Sequence, residues 1–542
     1  MFIRQFIRRN KDGSARIYLY LCRNYMSGGK ERQELVAKLG RIDVLQESGA
    51  VDRLIASLAR YSERCWVEVE GEGRLEQGQC YGPVLVLRRL WEDLGIDKQL
   101  AQLQGKTEVQ FSLEEAVFAM VLHRILDPGS KRRTYTWMHK AVYRPEFEVI
   151  ELHHLYRALG YLVKGKDSIE QALFARGRDL FSLEVDLVLF DTTLVHFEGR
   201  GPEGLACLGR PGNYPECVKV LVGLVITGDG FPVAHHVFPG NTADINAFRA
   251  VLKELKQWFP IRRVVIVADR GVVSEGLMED LEKDKPDDNK TGGQGRADAK
   301  IDYILGMRLR KKKEVKEEVL SRAGRYHKVA DNLEAKEVWV KGHRYVVCHN
   351  TEAEERDRKR REEIIEHARE DLSKKGAKAF IMPRGLRRFV ELKGGELLLR
   401  EAMIREEARY DGKWVVRTNT ELPTDEVALA YKSLWQIEQA FRELKSGLEI
   451  RPVYLRLEEH VRGHILVCFL ALVMEATLRR LLVETGSHSS YQEVLDDLAG
   501  VQAARFESRG KTWLWRTELP GVANDAFRAA ALRPPPRVQP LT

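Results

Sequence analysis

Between residues 427 and 448 the apolar side chains Val427, Ala430, Tyr431, Leu434, Ile437, Phe441, Leu444 and Leu448 recur every three or four positions. At about 100° per residue they form one stripe along a single helix. Glu438 falls inside this stripe, Lys445 lies two turns further along its line, and Glu443 points to the other side as an ordinary solvated residue. An ionised carboxylate on a buried face needs a cation or a proton. A salt bridge to Lys445 or Arg442 would satisfy it with no function attached. Other stretches have the pattern of strands. Residues 185–190 and 263–268 are short apolar, β-compatible runs, and each ends in an acid: Asp191, followed by two threonines, and Asp269, followed by Arg-Gly. Such runs suit central strands covered on both faces. Residues 218–226 and 231–238 predict a hairpin across Thr227-Gly-Asp-Gly230, residues 244–258 a helix, and residues 303–307 a further strand.

The same patterning divides the chain. Residues 1–75 mix short β-like runs with basic residues and a Gly28-Gly29 turn, which predicts a small β-containing unit. Residues 76–180 turn helical: an apolar run from Val84 to Trp91, then a capping box of Ser112 and Glu115 ahead of another apolar run, then helices over 151–165 and 167–180. The basic triplet Lys131-Arg-Arg133 and the aromatic residues Tyr135, Trp137 and Tyr143 lie among them. Residues 181–308 make the first part of an α/β core. From Asp191 to Asp269 is 78 positions, but from Asp269 to Glu438 is 169, too many for a core loop. After a polar linker at 283–300, residues 309–420 carry β-like runs at 337–340, 344–348, 389–392 and 413–416 and a long mixed-charge helix over 352–375, which predicts a mostly β insertion. The core resumes over 421–485. Residues 486–542 are expected to be a helical segment with a tail, disordered after about residue 525 and ending in Pro534-Pro-Pro536 and six more residues.

Composition adds constraints. Eighty-eight Lys and Arg against 80 Asp and Glu give a net charge of +8, which suits a polyanionic partner. The densest basic window, 308–328, holds nine Lys or Arg against three Glu. The seven cysteines are scattered with no C-x-x-C pair, which argues against a disulfide framework or structural zinc and for a reducing interior. Charges interrupt the N-terminal segment too often for a signal-peptide core, and the most apolar run, Ile465 to Met474, is ten residues, too short to span a bilayer. These features predict a soluble cytoplasmic protein with 465–474 in a buried helix.

A single acid after a strand carries little weight, since Asp also starts turns and caps helices. Asp191, Asp269 and Glu438 together supply the few hard oxygen ligands that a pair of Mg2+ ions needs. Two such ions serve phosphoryl transfer by stabilising both the attacking and the leaving oxygen. On these residues the chain resembles the DDE transposases of bacterial insertion sequences. More narrowly, it resembles the branch with the signature Tyr-x2-Arg-x3-Glu-x6-Lys, in which Tyr431, Glu438 and Lys445 take their places. The likeness extends to Leu126-Asp-Pro-Gly-Ser-Lys131, Phe190-Asp-Thr-Thr193, Phe197-Glu198, Pro239-Gly-Asn-Thr242, Ala268-Asp-Arg-Gly271, Arg417-Thr-Asn419 and Arg451-Pro-Val-Tyr454. One position departs: Leu434 stands where the signature has Arg, so that residue's phosphate contact does not carry over, and Arg442 is its candidate substitute.

The resemblance implies an α/β ribonuclease-H-like core interrupted by the insertion. It implies Asp191, Asp269 and Glu438 as catalytic and metal-holding residues, with two Mg2+ per site (Mn2+ as substitute) and no protein nucleophile. Lys445 would bind a DNA phosphate, Tyr431 would brace Glu438 or touch the backbone, and Arg442 would add a DNA contact. The implied partners are double-stranded DNA, as element ends and as target, and a second copy in a homodimeric DNA complex, with residues 76–180 reading the ends. Two rivals remain: a ribonuclease-H-like nuclease that cuts without joining, and a DNA-binding remnant without catalysis, against which the intact triad argues. Other signals are weaker. His460 and His464 lack a third ligand for a metal, Trp414 and Trp435 have packing roles open to them as well as base stacking, and Asp186 sits on the other face of its strand from Asp191.

Overall fold

The computed structural model describes residues 2–9, 15–27, 30–59, 73–181, 187–208, 217–258, 263–271, 276, 278, 300–310, 313–379, 389–393, 396–508 and 511–541. The turn at 28–29, Asp186 and linker residues 283–299 lie outside them. The chain forms two compact units, one of Leu85–Lys140 and Arg144–His488, the other of Met1–Val84, Ala141–Tyr143 and Ser489–Thr542.

The larger unit is a mixed α/β structure. Its central strands are β1 (Leu187–His196), β2 (Val218–Thr227), β3 (Pro232–Pro239), β4 (Arg263–Ala268) and β5 (Lys300–Gly306). β2 runs antiparallel to β1 and β3, while β4 lies parallel to both β1 and β5. β2 is buried from Lys219 to Thr227, as expected of a strand covered on both faces. The β2–β3 hairpin closes as the turn sequence predicts, with the Thr227 amide donating to the Phe231 carbonyl at 2.9 Å and Gly230 at φ +89°.

The sheet does not stop at β5. β6 (His327–Ala330), β7 (Leu333–Val340), β8 (His343–His349) and β9 (Lys413–Thr418) continue it in the order β6-β7-β8-β9-β5-β4-β1-β2. β9 pairs antiparallel with β5, Ile304 opposite Thr418. The β-like runs expected inside 309–420 are strands, and three of the four extend the central sheet, because β9 returns to the open edge of β5. The fourth run, Val390–Lys393, pairs with Glu396–Leu399, and Ile365 of the long helix Thr351–Ala379 packs with Phe389 and Val390.

Six helices of this unit bear on the site: α1 (Leu113–Leu126), α2 (Leu152–Lys164), α3 (Asp244–Trp258), α4 (Thr424–Lys432), α5 (Trp435–Arg442) and α6 (Glu458–Glu484). Residues 465–474 of α6 are all buried, and α1 and α2 pack on α6. Gly463 lets α6 approach α2 closely, since a Cβ there would overlap the Leu159 carbonyl. The helical stretch before the core thus shares a hydrophobic interior with it. Two local expectations change. Ser112 does cap α1, accepting from the Glu115 amide at 3.2 Å, but the Glu115 carboxylate does not turn back to close a capping box. It takes Arg144 Nε and Nη2, each at 2.6 Å, because a guanidinium is the stronger partner. And residues 424–447 are not one helix: Ser433 ends α4, α5 begins at Trp435, and a π-helical turn follows over Glu443–Gly447.

The smaller unit holds a three-stranded antiparallel sheet of Phe2–Arg9, Ala15–Ser27 and Lys30–Arg41. Its second sheet joins strands distant in sequence. Gln502–Ser508 pairs with Gly73–Leu75, Gln79–Cys80 and Lys511–Arg516, and the last of these pairs with Val538–Leu541. The end of the chain, expected to be a helical segment and a disordered tail, does hold helices at Tyr491–Ala499 and Ala523–Ala529, but it also supplies three strands, and the last of them, Val538–Leu541, lies in the stretch expected to be disordered. Pro540 is tolerated because its strand is at an edge. Among the described residues every cysteine is free, and no helix is long and apolar enough to cross a membrane.

Candidate active site

Pairing between β1 and β4 ends at Phe190 opposite Ala268, so Asp191 and Asp269 follow at equivalent places on adjacent parallel strands. Such strands lie about 4.8 Å apart, which makes the two residues neighbours. Phe190 and Ala268 are buried beneath them. β1 runs on past Asp191 to His196, still paired with β2, so Asp191 is not at a strand terminus as its sequence suggested; only its partnership with β4 ends there.

Asp191 is half-buried, and the Thr192 amide donates to its Oδ1 at 2.7 Å. Burial pushes its pKa up to about 6, against the pull of the Thr192 amide, and the negative charges of Asp269, Asp244 and Glu438 add to the rise. Glu438 thus acts on the same carboxylate from the helical side. It is exposed rather than buried. The break at Ser433 resets the winding, so the apolar stripe on α4 continues on α5 through Ile437, Ala440 and Phe441, with Glu438 at its rim. Among the described residues Glu438 pairs with neither Lys445 nor Arg442, so the simple salt bridge is absent. Glu443, expected to be solvated, is half-buried and accepts from Arg479 at 3.3 Å.

Tyr431, at the end of α4, donates to Asp269 Oδ1 at 2.8 Å, so it braces Asp269 rather than Glu438. Burial raises the phenol pKa, and the Asp269 charge adds to it. Gly306 at the end of β5 makes this reach possible, because a Cβ there would overlap the Tyr431 oxygen. Lys445 sits in the π-helical turn, where the wider winding takes it off the line drawn at 100° per residue. Its ammonium lies 5.6 Å from the centre of the Phe441 ring. Burial lowers its pKa, Arg451 lowers it further, and the Asp191 charge opposes both. Arg442 is exposed at the end of α5.

No sequence pattern singles out Asp244 as a site residue. It starts α3, its carboxylate accepts from Thr192 Oγ1 at 3.0 Å, and its charge reaches Asp191. The available signal was an acid opening a helix just after Pro239-Gly-Asn-Thr242. The segment Arg451–Tyr454 also belongs to the site: the Val453 amide donates to the His196 carbonyl at 3.0 Å, which extends the end of β1. His460 and His464 do not come together on a ligand, since His464 Nε2 lies 3.2 Å from the Ile450 carbonyl.

Among the described residues no three His, Cys, Asp or Glu stand close enough to form a ready metal cage. Asp191, Asp269 and Glu438 nonetheless fit a hard cation in chemistry: all are oxygen donors, and burial together with the charges of Asp269 and Glu438 disfavours the ionised form of Asp191, a cost that a divalent ion would offset.

Two family models match the chain: "Transposase DDE domain" over residues 186–474, more than half of its length, and "IS1634 family transposase, N-terminal domain" over residues 3–72. No curated protein matches. Among solved structures, a piggyBac transposase synaptic complex with hairpin DNA is similar at 10% identity and a TM-score of 0.38, covering 78% of this chain and 82% of that one, a likeness too slight to carry an argument. The first family model spans β1, β4, α5 and most of α6, and so contains all three acids of the site. The chain belongs to the DDE transposases of bacterial insertion sequences.

Proposed function

We propose that this transposase cuts double-stranded DNA at the ends of its insertion sequence and joins the freed 3′ ends to target DNA. The observation that carries this reading is the placement of Asp191 and Asp269 side by side beyond β1 and β4, with the Glu438 charge acting on Asp191. The order of strands, three antiparallel followed by a helix and a parallel fourth, supports a ribonuclease-H-like core in which residues 309–420 are an insertion. Asp191, Asp269 and Glu438 would hold two Mg2+ ions, with Mn2+ as a substitute. When bound, the ions neutralise charge on the reacting phosphate and lower the cost of both oxygen attack and oxygen departure.

The chain's own groups orient the reaction. Tyr431 fixes one oxygen of Asp269, and the other has no hydrogen-bond partner among the described residues. Lys445, within electrostatic reach of both Asp191 and Arg451, meets the DNA phosphate beside the carboxylates. Arg442 adds a backbone contact one turn beyond Glu438. No side chain serves as nucleophile; water attacks first, and a 3′ hydroxyl of the DNA attacks second. End recognition falls to residues 76–180, whose helix Lys131–Lys140 exposes Arg132 and Lys140. Because two ends must be processed together, the working complex is a homodimer, acting in the bacterial cytoplasm.

Incubating the purified protein with labelled element ends and a target plasmid tests this reading. Joined product is expected with Mg2+ or Mn2+ and none with chelator. Cut ends that are never joined would establish a nuclease instead.

A further inference from the structure

A cavity of about 220 Å3 lies in the larger unit between the start of helix Lys131–Lys140 and the segment after the π-helical turn. Arg124, Lys131 and Arg451 line it, with His464 behind and Glu449 as the one acid. Arg124 and Lys131 are each only 4% exposed. The Arg124 guanidinium donates through Nη1 to the carbonyls of Leu448 and Glu449 and through Nη2 to that of Gly129, and its Nε has no partner among the described residues. Lys131 is the more telling group. No hydrogen bond or ion pair satisfies its ammonium among the described residues, and its titrating neighbours are Arg124, which repels it, and the Cys468 thiol. Burial lowers its pKa to about 7. Glu449 does not answer this need, since its side chain is exposed and its backbone carbonyl is already taken by Arg124.

Two buried cations with no anion between them are costly to keep, and they stand where the amides opening a ten-residue helix add positive potential. Arg451 ties the cavity to the carboxylate site, because Lys445 feels Arg451 on one side and Asp191 on the other. We propose that this cavity binds a phosphate group of the DNA backbone close to the phosphate undergoing reaction, held by Lys131, Arg124 and Arg451. The assignment of DNA as the source rests on the transposase reading above; the anion site rests on the cavity alone. It also gives a role to Leu126-Asp-Pro-Gly-Ser-Lys131 and Arg451-Pro-Val-Tyr454, two distant motifs that meet in one wall.

The test uses the full-length protein and two probes, inorganic phosphate and a labelled duplex carrying its element end. Lys131→Met keeps the length of the side chain and removes the unanswered charge. It should raise the melting temperature of the ligand-free protein and abolish the rise that phosphate gives the wild type. It should also reduce the slope of log affinity for the duplex against log salt by about 0.9, the loss of one phosphate contact. Arg451→Gln, with its half-buried side chain, should show the same two losses and stands in if Lys131→Met does not fold. A lower melting temperature for Lys131→Met with the phosphate effect intact would overturn the site. Loss of the phosphate effect with an unchanged salt slope would assign the cavity to free phosphate and overturn DNA as the source. Should the wild type respond to phosphate but bind no duplex, the anion site stands and the transposase mechanism fails.

Discussion

Tyr431 reaches Asp269 only because residue 306 has no side chain, so one hydrogen bond depends on a glycine 125 positions earlier in the chain. Tyr431→Phe removes a donor to a charged group, worth about 1.5–3 kcal/mol, which corresponds to roughly a 10- to 150-fold slower cleavage if Asp269 must be held in place. Gly306→Ala displaces the same phenol and should fall into the same range; single-turnover cleavage of a labelled end measures both. Wild-type rates in Tyr431→Phe would show that the bond does not position Asp269. A second residue makes the fold sensitive to acid. His123 is buried, and burial together with Arg124, Lys131 and Arg133 lowers its pKa from 6.5 to about 3, although Asp127 lies 3.9 Å away. Between those values the unfolded chain binds the proton and the folded one does not. Stability is therefore full above about pH 6.5 and drops as pH falls, by about 2 kcal/mol at pH 5 from this group. Denaturant melts at pH 7.5 and pH 5 should show the loss in the wild type and a smaller one in His123→Gln. Equal losses would remove His123 from the account.

At the scale of elements, α1 shows how far local sequence signals reach. Ser112 followed three residues later by Glu115 marks the start of the helix correctly, yet only half of the expected cap forms. The other half depends on Arg144, a partner 29 positions away that no local pattern names. The two substitutions should separate accordingly. Ser112→Ala should cost about 1 kcal/mol, the usual worth of a cap. Glu115→Gln leaves Arg144 without its buried anion, while Arg88 keeps Glu92 and Glu114, and should cost about 3 kcal/mol. Equilibrium unfolding of both variants checks the order, and equal costs would mean that Glu115 acts only as a cap. The same contrast explains the α4–α5 region. Its apolar periodicity was legible and most of the stripe is buried, but a break at Ser433 and a π-helical turn at Glu443–Gly447 shift the angles. A fixed 100° step cannot register either, so Glu438 was placed inside the stripe and Glu443 in solvent, and both assignments reversed.

Across the whole molecule, the elements around the acids were legible because each has a strong local pattern: an apolar strand, a Gly-rich turn, an amphipathic helix. What joins them was not. The extension of the sheet by β7, β8 and β9, and the pairing of Gly73–Leu75 with Gln502–Ser508, are set by non-local strand partners. Asp244 escaped notice for the same reason, since it meets Thr192 only once α3 has packed. The proposed function requires Asp191, Asp269 and Glu438, from three such elements, to act as one site. Cleavage of a labelled element end by Glu438→Gln and by Glu443→Gln, each with Mg2+ and with chelator and with duplex binding measured in parallel, tests it most directly. Glu438→Gln should bind the duplex nearly as the wild type does but yield no cut product, Glu443→Gln should cut, and chelator should stop every cutting protein. Near-normal cutting by Glu438→Gln, or cutting that survives chelator, would contradict it.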